Sequence, residues 1–213
     1  MSPEGPSDHR ARLIAAMSAS VEEQGYRETT VADVVRLART SRRSFYEHFE
    51  DRDACYLALF DAVNDALMAE VATAVNPEQP WEQQVDQALG AYLDSIAAQP
   101  ALSRSFVREL PALGASGSDR QLAVIERFAA QLVGLVELGR REQPGTGVGP
   151  LTHDMAVMIV GGLRELTVIS IQQGRDVREL RPVAGDLVKA ILRETRNVAQ
   201  TSRATRFPSP TGR

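Results

Sequence analysis

The sequence predicts an all-α protein in two parts, an N-terminal three-helix helix-turn-helix domain followed by a larger C-terminal helical domain. Three observations carry that expectation. Apolar residues recur three and four positions apart along most of the chain, while alternating strand patterns are nearly absent. Glycines and prolines gather between the periodic stretches, at Asn76–Pro80, Gly114–Ser118 and Gln143–Pro150. Two short helical segments between Thr30 and Phe49 are separated by a tight turn, the arrangement of a helix-turn-helix.

Taken in order, residues 1–8 are polar and read as a disordered arm. Asp8 is placed to cap a first helix carrying Leu13, Ile14, Met17 and Val21, which Gly25 stops. Thr29 and Thr30 offer a cap for Val31–Ala38, and Thr40-Ser41 reopens a helix carrying Phe45 and Phe49. A longer helix follows over about 51–75, with Leu57, Phe60, Val63 and Leu67 on one side. Further helices are expected at Trp81–Ala98, from Pro100 to Pro111, at Asp119–Arg141 and at Leu151–Gln173, with Gly114–Ser118 a loop. Pro182 suits the first turn of a last helix bearing Leu187, Val188, Ile191 and Leu192. From Gln200 onward there is little to bury, so 200–213 reads as a disordered tail. The expected division is therefore an arm at 1–8, a DNA-binding domain at 9–52, a regulatory and dimerisation domain at 53–199 and the tail.

Composition narrows the function. The chain has 213 residues, of which 43% are hydrophobic, enough for a real core. A net charge of −4 excludes a globally basic coat but not a local basic patch. One cysteine, Cys55, excludes an internal disulfide and a Cys-rich metal site. No signal-like N-terminus and no apolar run near the roughly 18 residues of a membrane span are present, so a cytoplasmic protein with no membrane association is expected. His9 and His153 are single and well separated, paired catalytic groups are missing, and no catalytic residue, metal or cofactor is expected.

The informative stretch runs from Thr30 to Arg52. Between Arg36 and Tyr46 stand four arginines and no acid, the positive patch that the global charge conceals. At helical spacing Phe45 and Phe49 share a side and face a core. Arg43 and Glu47 point nearly opposite, as the recognition helix of such a motif requires for the major groove. Tyr46 and His48 flank that face, and Arg42 reaches it along its stem. Ser41 caps this helix and leaves N–H groups toward a phosphate.

These residues resemble the tetracycline-repressor (TetR) family of bacterial regulators. The resemblance rests on Glu23-Gln24-Gly25-Tyr26, Thr29-Thr30-Val31, Ser41 to Phe49 as S-R-R-S-F-Y-E-H-F, and Arg52-Asp53, about the first quarter of the chain. It implies a homodimer on a palindromic double-stranded operator, with an unknown small molecule as effector, acting as a ligand-responsive repressor. Carried over by position, Thr30, Ser44, Tyr46, His48 and Arg52 hold phosphates, and Arg42 and Arg43 read base edges. The sequence departs from the family at Arg39, where a glycine is usual, and at Val35, where a small residue is usual; Arg39 must avoid positive φ or accept strain.

Beyond this quarter the expectations are coarser. A ligand pocket is expected among residues 81–173, with Tyr92, Phe106, Phe128, Met158 and Leu163 as lining. The helix Met155–Ile171 is apolar on two faces, so a symmetry mate is expected to cover one of them. The interface assigned on that basis is Val157, Val160, Gly161, Arg164, Val168, Leu187 and Ile191. A buried, inert Cys55 is expected. The alternative from another class is a helical enzyme or small-molecule carrier with a degenerate helix-turn-helix, which a salt-dependent DNA-binding assay separates from a regulator.

Overall fold

A computed structural model describes residues 6–142 and 148–204, with side chains at 9–142 and 148–194. Among them run nine α-helices: α1 (Pro6–Gln24), α2 (Val31–Leu37), α3 (Arg42–His48), α4 (Arg52–Ala74), α5 (Trp81–Ala98), α6 (Pro100–Glu109), α7 (Gly114–Glu142), α8 (His153–Gln172) and α9 (Arg181–Ala204). Short 3₁₀ turns at Leu110–Leu113 and Val177–Leu180 lead into α7 and α9. The starts are set by the chemistry the sequence offers. Thr30, Ser41, Asp51 and Thr152 each accept a hydrogen bond from the backbone N–H three residues on. Such caps are worth about 1 kcal/mol each.

Helices α1 to α3 form the head. Leu13, Met17, Val21, Val34, Phe45 and Phe49 are buried together between them. That core continues without a break through α4 into α6, taking in Tyr56, Leu59, Leu102, Phe106 and Leu110. Residues 55–60 of α4 are buried on every side, because α1 covers one flank and α6 lies beyond another. Helix α4 thus belongs to both parts, and the boundary expected at residue 52 falls at its first turn. A second cluster joins α7, α8 and α9 through Ala129, Ile159, Val188 and Leu192.

The ends of some elements differ from expectation for local reasons. Residues 114–118 are helical, not a loop. Gly114 enters at φ +63°, and a Cβ on Gly117 would collide with the carbonyl oxygen of Leu110. The glycines there permit a close turn of helix on helix rather than breaking one. Helix α1 includes residues 6–8 of the expected arm, and α9 includes 200–204 of the expected tail. The remainder of both segments, and residues 143–147 of the expected loop, lie outside the described residues. No helix among the described residues is long and apolar enough to cross a membrane.

Candidate nucleic-acid interface

The two motif helices are held by reciprocal local bonds. The Asp33 N–H donates to Thr30 Oγ1 at 3.2 Å, and the Thr30 N–H donates to Asp33 Oδ2 at 3.1 Å. This is a capping box, which satisfies two donors at once. These hydrogen bonds hold the Asp33 carboxyl below its usual range. Helix α2 ends in a Schellman motif: the Thr40 N–H donates to Val35 O and the Arg39 N–H to Arg36 O. Arg39 sits at the residue that must turn left-handed, at φ +50°. Of the two options the sequence left open, strain is the one adopted. A left-handed residue with a Cβ costs about 1–2 kcal/mol, partly offset by the freedom glycine loses on folding. Arg39→Gly should therefore stabilise the protein by about 0.5–1 kcal/mol in a denaturant titration; a loss of stability would show that the Arg39 side chain contributes more than its backbone costs.

Helix α3 divides cleanly into two faces. Phe45 and Phe49 are buried, their ring centroids 5.7 Å apart. On the other side the Arg43 side chain is 90% exposed and reaches Glu47 Oε1 at 3.2 Å. Arg42 is exposed beside it, as is Tyr46, which meets Phe45 edge-on at 5.4 Å. Ser44 and His48 are half-buried, and Thr30 is exposed at the start of α2. Arg36 and Arg39 are exposed too. The four arginines between residues 36 and 46 thus all face outward from the head.

Arg52 is differently employed. Its Nη1 donates to Thr29 O at 3.1 Å, its guanidinium lies 4.3 Å from the centre of the Tyr26 ring, and Asp53 lies beside it. Tyr26 donates to Asp53. Burial, and then the bond to Asp53, drive the Tyr26 phenol well above its usual range. Arg52 ties α4 to the turn between α1 and α2, in place of standing free for a phosphate. Beside it, Ser20 and Thr29 share a buried hydroxyl pair at 3.0 Å.

One connection has no sequence signal at all. Arg27, in the same turn, donates Nε to both oxygens of Glu109 on α6, at 3.1 Å each, and Glu109 is buried. Eighty-two positions separate the two residues, and no periodicity links them. The carboxylate is held at the end of the helix that carries Phe106.

Phe106 lines a cavity of about 290 Å³ whose walls come from α4 to α9. Of the expected lining, Tyr92, Phe106, Phe128 and Leu163 face it, joined by Phe60 and Leu67 of α4 and Trp81 of α5. Met158 does not; it is 74% exposed on the outside. Helix α8 is rotated from the expectation, with Ile159 and Leu163 still on the cavity side. Val160, Arg164 and Val168 line the cavity, while Met158, Gly162 and Leu166 face outward. Val157 and Ile191 pack partly buried against the second cluster, and Gly161 is half-exposed. Leu187, assigned to the interface, is exposed in one protomer, together with Val183 on the same helix. With two apolar faces, the period of α8 gave no means of choosing which one meets its own domain.

Cys55 is fully buried, its Sγ 3.9 Å from Leu13 O, and burial pushes the thiol up to about 12. Such a group stays protonated and unreactive at neutral pH. Among the described residues no group of three side chains stands together as metal ligands.

Comparison with known proteins agrees with this geometry. Residues 13–59 match the model of "Bacterial regulatory proteins, tetR family", the span from the first core leucine into α4. An uncharacterised HTH-type transcriptional regulator of Bacillus subtilis, YhgD, is 24% identical over 87 residues, 41% of this chain and 46% of its own length. The chain thus aligns with less than half of that curated relative. Among solved structures, the fatty acid degradation regulator FadR of Bacillus halodurans is similar at a TM-score of 0.63 and 18% identity, covering 87% of this chain and 96% of its own. FadR of Bacillus subtilis, solved with stearoyl-CoA, gives 0.64 and 15%, covering 83% and 96%. At these identities the likeness is one of fold, and it extends over both parts of the chain.

Proposed function

We propose that the chain is a member of the TetR family of bacterial regulatory proteins, whose model matches residues 13–59, and that it is a sequence-specific DNA-binding transcriptional regulator, a homodimer whose operator affinity falls when a small molecule occupies the α4–α9 cavity. The observation that carries the proposal is the division of α3, which holds Phe45 and Phe49 in the core and Arg43 almost wholly in solvent. A helix so divided presents its arginines to the major groove from a rigid base. Arg42 and Arg43 read base edges, and Thr30, Tyr46 and His48 contact phosphates; the Ser44 hydroxyl, expected to join them, is buried. Arg52 contributes by holding the head against α4.

Regulation follows the same connections. Phe60 and Phe106 line the cavity, Phe106 meets Tyr56 at 5.5 Å, and Tyr56 stacks on Tyr26 at 4.0 Å. Tyr26 carries Arg52, and Glu109 grips Arg27. A ligand that prefers one position of α6 therefore biases the position of the head, and with it the spacing of two heads in a dimer. The solved neighbour in complex with stearoyl-CoA supports the view that this fold accepts a ligand. Dimerisation is supported by Met158 and Leu166 on α8 and Val183 and Leu187 on α9, large apolar side chains exposed in one protomer.

Titration of duplex DNA against salt tests the function. With the exposed Arg36 and Arg39 of each protomer neutralising one phosphate apiece, about four in a dimer, affinity should fall on the order of 100-fold between roughly 50 and 200 mM salt. Arg43→Ala should cost about 1–3 kcal/mol at one operator position and relax the preference there. An affinity that ignores salt would refute the DNA-binding reading; an Arg43→Ala loss spread evenly over all sequences would refute the role given to Arg43.

A further inference from the structure

The cavity has a chemical bias. Its walls are mainly apolar, and the charged side chains lining it are two arginines, Arg140 and Arg164, with no carboxylate among the lining residues. The two cations are not equivalent. Arg140 reaches Glu137 Oε2 at 2.8 Å on its own helix. Arg164 has Glu165 at 3.7 Å, beyond hydrogen-bond length, and that carboxylate points mostly into solvent. Around Arg164 stand two hydroxyls. Thr167, one turn along α8, donates to Leu163 O at 2.8 Å and is hydrogen-bonded to Tyr92. Burial raises the Tyr92 phenol above its usual value, so it remains a neutral donor.

About a third of the Arg164 side chain stays exposed; the part that lines the apolar cavity has lost water without gaining a close counter-charge, which favours an arriving anion. The planar fork of the guanidinium suits a carboxylate, which accepts two parallel bonds. The rest of the ligand must match the walls. Tyr92 meets Phe128 of α7 edge-on at 6.1 Å, and lining residues continue along α7 from Phe128 to Gly139. The eleven steps from Phe128 to Gly139 rise on the order of 16 Å, room for an extended apolar tail.

We propose that the cavity binds an amphipathic monocarboxylate, its head on Arg164 beside Tyr92 and Thr167 and its tail along α7. The inference rests on the reading of this cavity as the effector site, and it names the effector's class.

Trp81 is the single tryptophan and lines the cavity, so its fluorescence reports occupancy without DNA. The full-length protein is titrated, below micelle-forming concentrations, with dodecanoate, dodecanol, dodecyltrimethylammonium and the dodecanoyl thioester of coenzyme A. Dodecanoate should bind at least about ten-fold tighter than the other three. Arg164→Ala should abolish that preference while leaving dodecanol affinity within about two-fold, and Arg140→Ala should leave the preference in place. Retained dodecanol binding also shows that the Arg164→Ala cavity is intact; should that variant fail to fold, Arg164→Lys takes its place, with a reduced preference expected. Dodecanol or the cation binding as tightly as dodecanoate, the thioester binding more tightly, or the preference surviving loss of Arg164 would each overturn the proposal. Specific DNA binding is measured separately in the absence of any ligand. Its failure would refute the regulator, and its presence together with indifference to the carboxylate would refute the ligand class alone.

Discussion

Phe45→Ala should destabilise the protein by about 3–5 kcal/mol and abolish DNA binding. Phe45 is fully buried against Phe49 in the core that α1, α2 and α3 share with α4. Removing its ring leaves a cavity where three short elements meet, and neither α2 nor α3, at seven residues each, is long enough to hold its shape alone. For a chain of this size each kcal/mol lowers the melting temperature by about 2–4 °C, so calorimetry should record a fall of roughly 10 °C. The adjacent residue provides the contrast. Tyr46 is 57% exposed and touches Phe45 only edge-on, so Tyr46→Ala should cost under about 1 kcal/mol yet still weaken DNA binding. If both variants melted alike, the division of α3 into a core face and a groove face would be wrong.

The double substitution Met158→Glu and Leu187→Glu should yield folded monomers with operator affinity reduced on the order of 100-fold or more. Both side chains are largely exposed in one protomer, at 74% and 56%, so charging them removes nothing from that protomer's own packing. In a dimer interface the same carboxylates would lose water without gaining a partner. Two tethered heads bind a palindrome with an avidity gain of about 10²–10⁴, which a monomer forfeits. Sedimentation should show the monomer, and circular dichroism an unchanged helix content. A dimer that persists with unaltered operator affinity would place the interface elsewhere on the molecule.

The head was legible because its signals are local. Capping residues, the Phe45–Phe49 spacing and the run of arginines each act within a few positions, and the start of every motif helix followed from them. Long-range facts were not legible in the same way. The period of α8 marked two apolar faces, yet the choice between cavity and exterior depends on where α5 and α7 pass, so Met158 and Val160 exchanged roles. Gly114 and Gly117 suggested a loop because glycine signals both a break and a close approach, and only the position of Leu110 distinguishes them. Arg52, expected to hold phosphate by analogy of position, turns Nη1 to the carbonyls of Tyr26 and Thr29 and Nε to Asp53. The Arg27–Glu109 pair, which ties the head to α6, joins segments too distant for any pattern in one sequence to connect.

If two copies of α3 read DNA together, selection from a random pool of duplexes should enrich a palindrome whose half-sites lie about 34–36 Å apart, one helical turn, or a multiple of that spacing. Arg43→Ala should select a motif degenerate at one position in each half. Failure to enrich any sequence, or enrichment of a single asymmetric half-site by a protein that sediments as a dimer, would contradict that joint reading.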